Sequence, residues 1–321
     1  MKLLQKYTGG LRRLKLGYWL YNLLNYNKLR KNRALYKKLG VSKQIWQSIN
    51  HSNIAKPDSE IPWLDADISS EAIKQQSGFY HFPEPIQQKI LEWPTKGYLI
   101  LEKYFSDAEV DAVNADIALL LAQKKLDFNF TGRKIMDAWQ TSNAVNHILK
   151  HQQLMQLLSF LLGREVVPFQ TINFQKGSEQ KPHSDSIHMT TEPLGYLIAT
   201  WTALENIEEG AGLLAYYPGS HKLKYIMGED FETGHNLWQL GADTYPSYEE
   251  KIAKVIAQHK INPQYFKAKK GDVLIWHANL LHGGTPITNP DSTRRSQVCH
   301  YYAKDVLCYH EISQRPAIMR G

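Results

Sequence analysis

The chain has 321 residues, 43% of them hydrophobic and 11% aromatic, enough for one large domain with a full core. Its two cysteines, Cys299 and Cys308, exclude a disulfide framework, and their spacing to His300 and His310 lacks the paired hook of a zinc site. The net charge of +7 is concentrated: residues 1–57 hold 13 Lys/Arg and no Asp/Glu, whereas residues 58–321 hold 25 Lys/Arg against 31 Asp/Glu.

In residues 1–57, Leu11, Leu14, Tyr18, Tyr21 and Leu24 recur at helical spacing, and Leu16, Trp19, Leu20 and Leu23 widen the stripe. Arg12, Arg13, Lys15 and the cluster from Lys28 to Lys38 flank it. Asn22 and Asn25 interrupt the apolar run, so it is too short to span a bilayer and poor as a secretory signal. A basic amphipathic helix fits two roles. It can lie on an anionic membrane through residues 1–40, or pack its stripe on the acidic remainder of the chain. No nucleic-acid module accompanies the charge. Residues 58–76 read as a linker, with its strongest signal at Pro57 to Trp63.

Ser106-Asp107-Ala108-Glu109 is a capping box, followed by Val110, Val113, Ile117 and Leu120 at core-facing spacing. Residues 169–175 read as a strand, on which Thr171 and Asn173 share a face and are candidates to hydrogen-bond a co-substrate. After the turn at Lys176-Gly177-Ser178, Lys181-Pro182 returns the chain to extended backbone. His183 and Asp185 then project to one side. Residues 223–268 form a long insertion with a second capping-box pattern, Ser247-Tyr248-Glu249-Glu250, and with Trp238. It reads as a lid that selects the substrate, or as peripheral packing.

Farther on, Gly271-Asp272 is a turn, Val273 to Trp276 a short strand, and His282 follows with Gly283 and Gly284, which permit close approach to a ligand. On the strand after Thr293, Arg294, Ser296, Val298 and His300 share one face, and Arg295 and Gln297 the other. Arg294 with Ser296 offers a fork and a hydroxyl suited to a carboxylate. Two histidines and a carboxylate on one face of an ion are the ligand set of non-haem iron(II) oxygenases. With 13 histidines in the chain, H-x-D alone is also met by chance, His277 competes with His282, and Arg295 is the neighbour of Arg294.

Five segments in register resemble the phytanoyl-CoA dioxygenase family of Fe(II)/2-oxoglutarate oxygenases across residues 77–310. They are Gly97-Tyr98-Leu99-Ile100 before the Ser106–Gln123 helix, Lys181 to Asp185, Trp201 to Glu205, Tyr217 to Lys222, and Gly271 to Gly284 with Arg294. The resemblance implies a mainly β fold with flanking helices, a double-stranded β-helix (jelly roll, cupin-like), over residues 77–321. It implies His183, Asp185 and His282 as iron ligands, and Arg294 on the far carboxylate of 2-oxoglutarate, with O2 as oxidant. Related halogenases replace the carboxylate ligand with a small residue, so Asp185 favours hydroxylation. Trp201, His188 and Trp238 are candidates for the substrate pocket. The expected activity is hydroxylation of a small-molecule, lipid or glycolipid C–H bond by a cytoplasmic protein, peripheral to a membrane if the extension binds one. The alternative is a non-catalytic jelly-roll module that binds metal or ligand.

Overall fold

The computed structural model of the chain describes residues 13–129 and 131–318. Its helices of seven or more residues are α1 (Lys15–Leu24), α2 (Asn32–Lys38), α3 (Glu84–Lys96), α4 (Asp107–Ala122), α5 (Asn143–Leu149), α6 (Gln152–Leu162) and α7 (Thr244–His259), with shorter ones at Tyr26–Leu29 and, inside the stretch that reads as a linker, Ser70–Lys74. Its strands are β1 (Tyr98–Leu101), β2 (Lys134–Met136), β3 (Val166–Phe174), β4 (Thr190–Glu192), β5 (Leu197–Ala203), β6 (Leu214–Tyr216), β7 (Gln264–Phe266), β8 (Val273–His277), β9 (His282–Gly284), β10 (Ser296–Ala303), β11 (Leu307–His310) and β12 (Arg315–Pro316).

A six-stranded antiparallel sheet, ordered β1-β8-β5-β10-β3-β2, faces a smaller sheet ordered β7-β6-β9. Strand alternation divides the large sheet between two cores. Phe174, Ala199, Trp201, Leu274, Trp276 and Val298 fill the space between the sheets with Leu214, Tyr216 and Phe266. The alternate residues Ile198, Ile275, Cys299 and Tyr301 pack outward against α3 to α6. A third sheet, β12-β11-β4, closes one end. This is the jelly-roll architecture that the resemblance implied.

Local signals explain several elements. The Ser106 capping box forms: Ser106 N–H donates to Glu109 (2.9 Å), and Glu109 N–H to the Ser106 hydroxyl (3.3 Å). The second pattern, at Ser247, does not start a helix. Helix α7 begins three residues earlier, at Thr244, with Asp243 before it and no side-chain cap. Pro246 sits in the first turn, where its missing N–H costs no helical bond. The winning signal is apolar: Tyr248 and Ile252, one turn apart, are buried against Ile187, Tyr217, Ile226 and Leu281.

The basic extension is largely part of the domain. Leu29, Tyr36, Leu39, Val41, Ile45, Ile49 and Ile54 form a buried cluster with Leu307 and Tyr309 of β11. Ile49 N–H donates to Gln314 O, and His51 N–H to the Glu311 carboxylate. Helix α1 behaves differently, leaving Leu16, Leu20, Leu23 and Leu24 exposed. Its start is tied to the 223–268 insertion. Leu14 bridges Gln239, Lys15 N–H donates to Trp238 O, and the Lys15 ammonium donates to Asn236 O (2.7 Å).

Removing buried methylenes from the extension cluster should therefore unsettle the whole domain. Ile49→Ala is expected to lower unfolding free energy by about 2–5 kcal/mol in chemical denaturation. Leu24→Ala, on the exposed face, should stay within about 0.5 kcal/mol. Equal small effects would show that the extension folds apart from the barrel.

Candidate active site

Backbone pairing brings the three predicted ligands together. His183 and His282 form an isolated antiparallel bridge, each N–H donating to the other's carbonyl at 2.9 Å. Their rings lie 4.5 Å apart between centroids. Gly283 and Gly284 serve this pairing rather than a ligand. A Cβ on Gly283 would stand 2.7 Å from Gln180 O, and one on Gly284 would stand 2.6 Å from the Ser178 hydroxyl. After His183 the chain turns, so Asp185 opens a short 3-10 turn, Asp185–Ile187, instead of continuing a strand. Its carboxylate still reaches the histidines, with Oδ1 3.9 Å from His183 Nε2 and 3.6 Å from His282 Nε2. One ligand atom from each residue lies within 4.8 Å of the others, and all three residues are buried.

The protonation pattern suits a cation. His183 Nδ1 faces Lys181 O (2.9 Å) and His282 Nδ1 faces Leu280 O (3.0 Å). Each Nδ1 must carry a proton to donate, which leaves both Nε2 lone pairs turned inward. Burial, reinforced by His282, holds His183 well below its ordinary pKa and therefore neutral. Burial alone would raise Asp185, but His282, His300 and His183 around it hold the carboxyl well below the usual range. Trp276 Nε1 donates to Asp185 Oδ2 (2.8 Å), and His300 Nε2 is 3.4 Å from the same oxygen. Oδ2 is thus clamped and Oδ1 is presented. A buried carboxylate beside two inward lone pairs fits a divalent ion with open positions.

Arg294 supplies the second observation. It is fully buried, yet among the described residues it faces no carboxylate. Nη1 donates to Gly212 O (3.0 Å), Nε has no partner, and the neighbouring Ser296 hydroxyl has none either. Burial lowers its pKa to about 10, so it remains a cation at neutral pH. Phe174 and Trp201 flank the guanidinium at 5.6 and 5.8 Å. A desolvated guanidinium with an orphan donor fits the carboxylate of a bound acid. Arg295 is committed elsewhere, donating to Glu205 on the outer face (2.7 Å).

The remaining predicted residues divide. Trp201 lines the Arg294 chamber. His188 stands beside the metal triad, its ring 5.6 Å from that of His183. Trp238 is 62% exposed on a loop tip, tilted against Trp19 at 6.1 Å, and is not beside the triad. Thr171 and Asn173 share a face, as expected, but it is the outer one. In the register they oppose Cys299 and Gln297, and Asn173 donates to Gln297 (3.3 Å), which in turn donates to Val145 O of α5. One residue of parity separates them from the inward Ile172 and Phe174. His277 is also diverted, pairing with Asp65 at 2.9 Å.

Several site residues escaped sequence reasoning. Trp276 and His300 hold Asp185; His300 was legible only as a position on the Arg294 face. Gln180 Nε2 donates to His183 Nε2 (3.1 Å), the lone pair that an ion would take, and also to Tyr245 Oη (3.1 Å). Lys134 donates to Gln180 Oε1 (3.0 Å), and burial lowers its pKa while Asp185 opposes that shift. Tyr248 accepts from Ser184 N–H (3.0 Å). Lys134, Gln180 and the two tyrosines carry no local motif. A second His/Glu group, Glu109, His147 and His151, is explained by helix ends: Glu109 completes the capping box and His151 caps α6.

Comparison with known proteins agrees with this geometry. The mouse phytanoyl-CoA dioxygenase, peroxisomal (Mus musculus), is 26% identical over 136 residues, 42% of this chain and 36% of that protein. The mouse phytanoyl-CoA dioxygenase domain-containing protein 1 is 33% identical over 175 residues, 52% of this chain and 56% of that protein. The match thus spans about a third of the length of the peroxisomal enzyme. Among solved structures, the non-haem α-ketoglutarate-dependent carbocyclase SnoK from nogalamycin biosynthesis aligns with a TM-score of 0.58 at 18% identity. That alignment covers 76% of this chain and 95% of SnoK. EctD from S. alaskensis, solved with 2-oxoglutarate and 5-hydroxyectoine, aligns with a TM-score of 0.54 at 20% identity, covering 77% and 82%. These two share the fold. The model of the phytanoyl-CoA dioxygenase (PhyH) family, whose members use iron(II), 2-oxoglutarate and O2, matches residues 93–296, and the chain belongs to that family.

Proposed function

We propose that this protein is an Fe(II)/2-oxoglutarate-dependent dioxygenase that hydroxylates an aliphatic C–H bond of a small-molecule, lipid or glycolipid substrate, releasing succinate and CO2. The observation that carries the reading is Arg294. A triad of two histidines and a carboxylate suits many metal proteins, but a buried, uncompensated guanidinium in the same chamber between the sheets calls for an acid co-substrate. His183, Asp185 and His282 would hold iron, and Arg294 with Ser296 the distal carboxylate. When bound, iron and 2-oxoglutarate supply the oxidising power that inserts an oxygen atom from O2 into a C–H bond.

The chain's own residues prepare the site. The carbonyls of Lys181 and Leu280 fix both imidazole tautomers. Trp276 and His300 hold Asp185 Oδ2, so the carboxylate would offer iron one oxygen. Trp201, Phe174 and Trp276 keep water from the chamber between the sheets.

Helix α1 suits delivery of a lipid-borne substrate. Leu24 (87% exposed), Leu16, Leu20 and Leu23, with Leu237 and Trp238 of the tip loop bound to α1, make an apolar surface. Lys28, Arg30 and Lys31 follow it, all exposed. Apolar contact rimmed by cations complements an anionic bilayer. No helix among the described residues is long and apolar enough to cross a membrane.

Purified protein given Fe(II), 2-oxoglutarate and air should form succinate slowly without added substrate. His183→Ala should abolish it, and Arg294→Ala should require roughly 10- to 100-fold more 2-oxoglutarate, as expected for lost charge-assisted bonds. Iron-independent succinate, or indifference to Arg294, would overturn the assignment. Failure of Fe(II) and 2-oxoglutarate to bind anaerobically would favour a non-catalytic jelly-roll module. Co-sedimentation with phosphatidylserine vesicles should be lost in a Leu20→Glu, Leu24→Glu, Trp238→Glu variant and be weak with phosphatidylcholine. Unchanged sedimentation of the variant would remove the membrane from the account.

A further inference from the structure

A cavity of about 230 Å3 lies directly beside the metal triad, on the far side of His188. The His188 ring stands 5.6 Å from that of His183 and 5.3 Å from that of His310, so one imidazole separates the cavity from a ligand of the triad. The His188 backbone N–H donates to the Asp185 backbone carbonyl (2.9 Å), closing the turn that carries both residues.

Two buried polar atoms in the lining have no partner, His188 Nε2 and the Tyr309 hydroxyl, and the half-buried Gln170 lines the cavity with them. Gln170 shares the inward parity of Ile172 and Phe174 on β3. An orphaned buried imidazole nitrogen costs free energy until a ligand satisfies it. Burial pushes His310 down to about 3, so that imidazole is uncharged at neutral pH. The lining's formal charges, Asp137 and Arg315, cancel. Aromatic faces complete it, with Phe169 and Tyr302 paired at 4.7 Å.

The outer wall comes from the N-terminal extension. Tyr21 and Asn22 of α1 line the cavity; Asn22 is fixed by donation to Trp46 O (2.9 Å), whereas Tyr21 remains half exposed. Helix α1 and strands β11 and β12 all lie outside residues 93–296, the span shared with the family.

We propose that this cavity seats a neutral, hydroxyl-rich ring of the pyranose or cyclitol class, with α1 as its outer wall and Gln170 and His188 as the groups that read its hydroxyls. Uncharged donors and acceptors alternating with aromatic faces match a ring that carries hydroxyls on its edge and C–H bonds on its faces. A volume below that of pockets for drug-sized ligands admits one ring. Any apolar tail leaves past Tyr21 onto the exposed leucines of α1. This assignment rests on the oxygenase reading for its chemistry but not for its test.

The test is calorimetric titration of full-length, metal-free protein with methyl pyranosides, octyl glucoside below its micelle concentration and inositol. Octanoate and a fatty acyl-CoA serve as anionic comparisons. At least one neutral ring should bind at roughly millimolar strength or better. Gln170→Leu and Tyr21→Ala should each weaken it about fivefold or more while thermal unfolding is unchanged. Binding of no neutral ring, preference for the anionic probes, or equal binding by both variants would overturn the proposal. Because neither iron nor 2-oxoglutarate is present, failure here leaves the succinate result standing, and failure of succinate formation leaves this titration interpretable.

Discussion

The backbone bridge between His183 and His282 is the constraint on which the rest of the site depends. Two residues 99 positions apart exchange N–H···O bonds, and the exchange sets their rings side by side. It tolerates no side chain on the strand after His282, which explains the paired glycines better than ligand access does. Once the histidines are placed, the turn at Asp185 brings in the third group, and Trp276 and His300 leave it one oxygen to offer. Each of these contacts is buried, so a misplaced donor would be left unsatisfied in a medium that penalises it strongly.

Uncompensated charge then becomes the informative quantity. A folded domain rarely buries an arginine without an anionic partner, nor a carboxylate without a cation, because desolvation outweighs what the packing returns. This chain does both, at Arg294 and Asp185, in the chamber between the same two sheets. The two sites are complementary: one lacks an anion and the other a cation. A chelating dianion bound to a metal ion answers both.

The elements around the barrel are interlocked rather than appended. The basic extension buries a cluster against β11, while α1 leans out and is stitched to the tip of the 223–268 insertion through Leu14, Lys15 and Trp19. The two segments that read as a membrane helix and as a lid thus meet in one surface. Helix α7 of the insertion is not a free flap. Tyr245 and Tyr248 reach the triad's surroundings, and the rest of its inner face is core.

The sequence by itself marked His183, Asp185 and His282 as a candidate ligand set and Arg294 by its parity, and it determined the α4 cap and the fold family. Each rests on local spacing or on motifs in register, and strand alternation is a property of the chain alone. It did not determine which face Thr171 and Asn173 occupy. That depends on the register of β3 against β10, where one residue of shift exchanges inside for outside. Nor did it reveal Lys134, Gln180 and Tyr245, which carry no motif and meet only because sheet, loop and insertion fold onto one another. The start of α7 was decided by burial of Tyr248 and Ile252 over a plausible cap. The fate of the extension was likewise tertiary: only the packed structure shows that β11 covers the later residues Leu29 to Ile54 while Leu16, Leu20, Leu23 and Leu24 of α1 stay exposed.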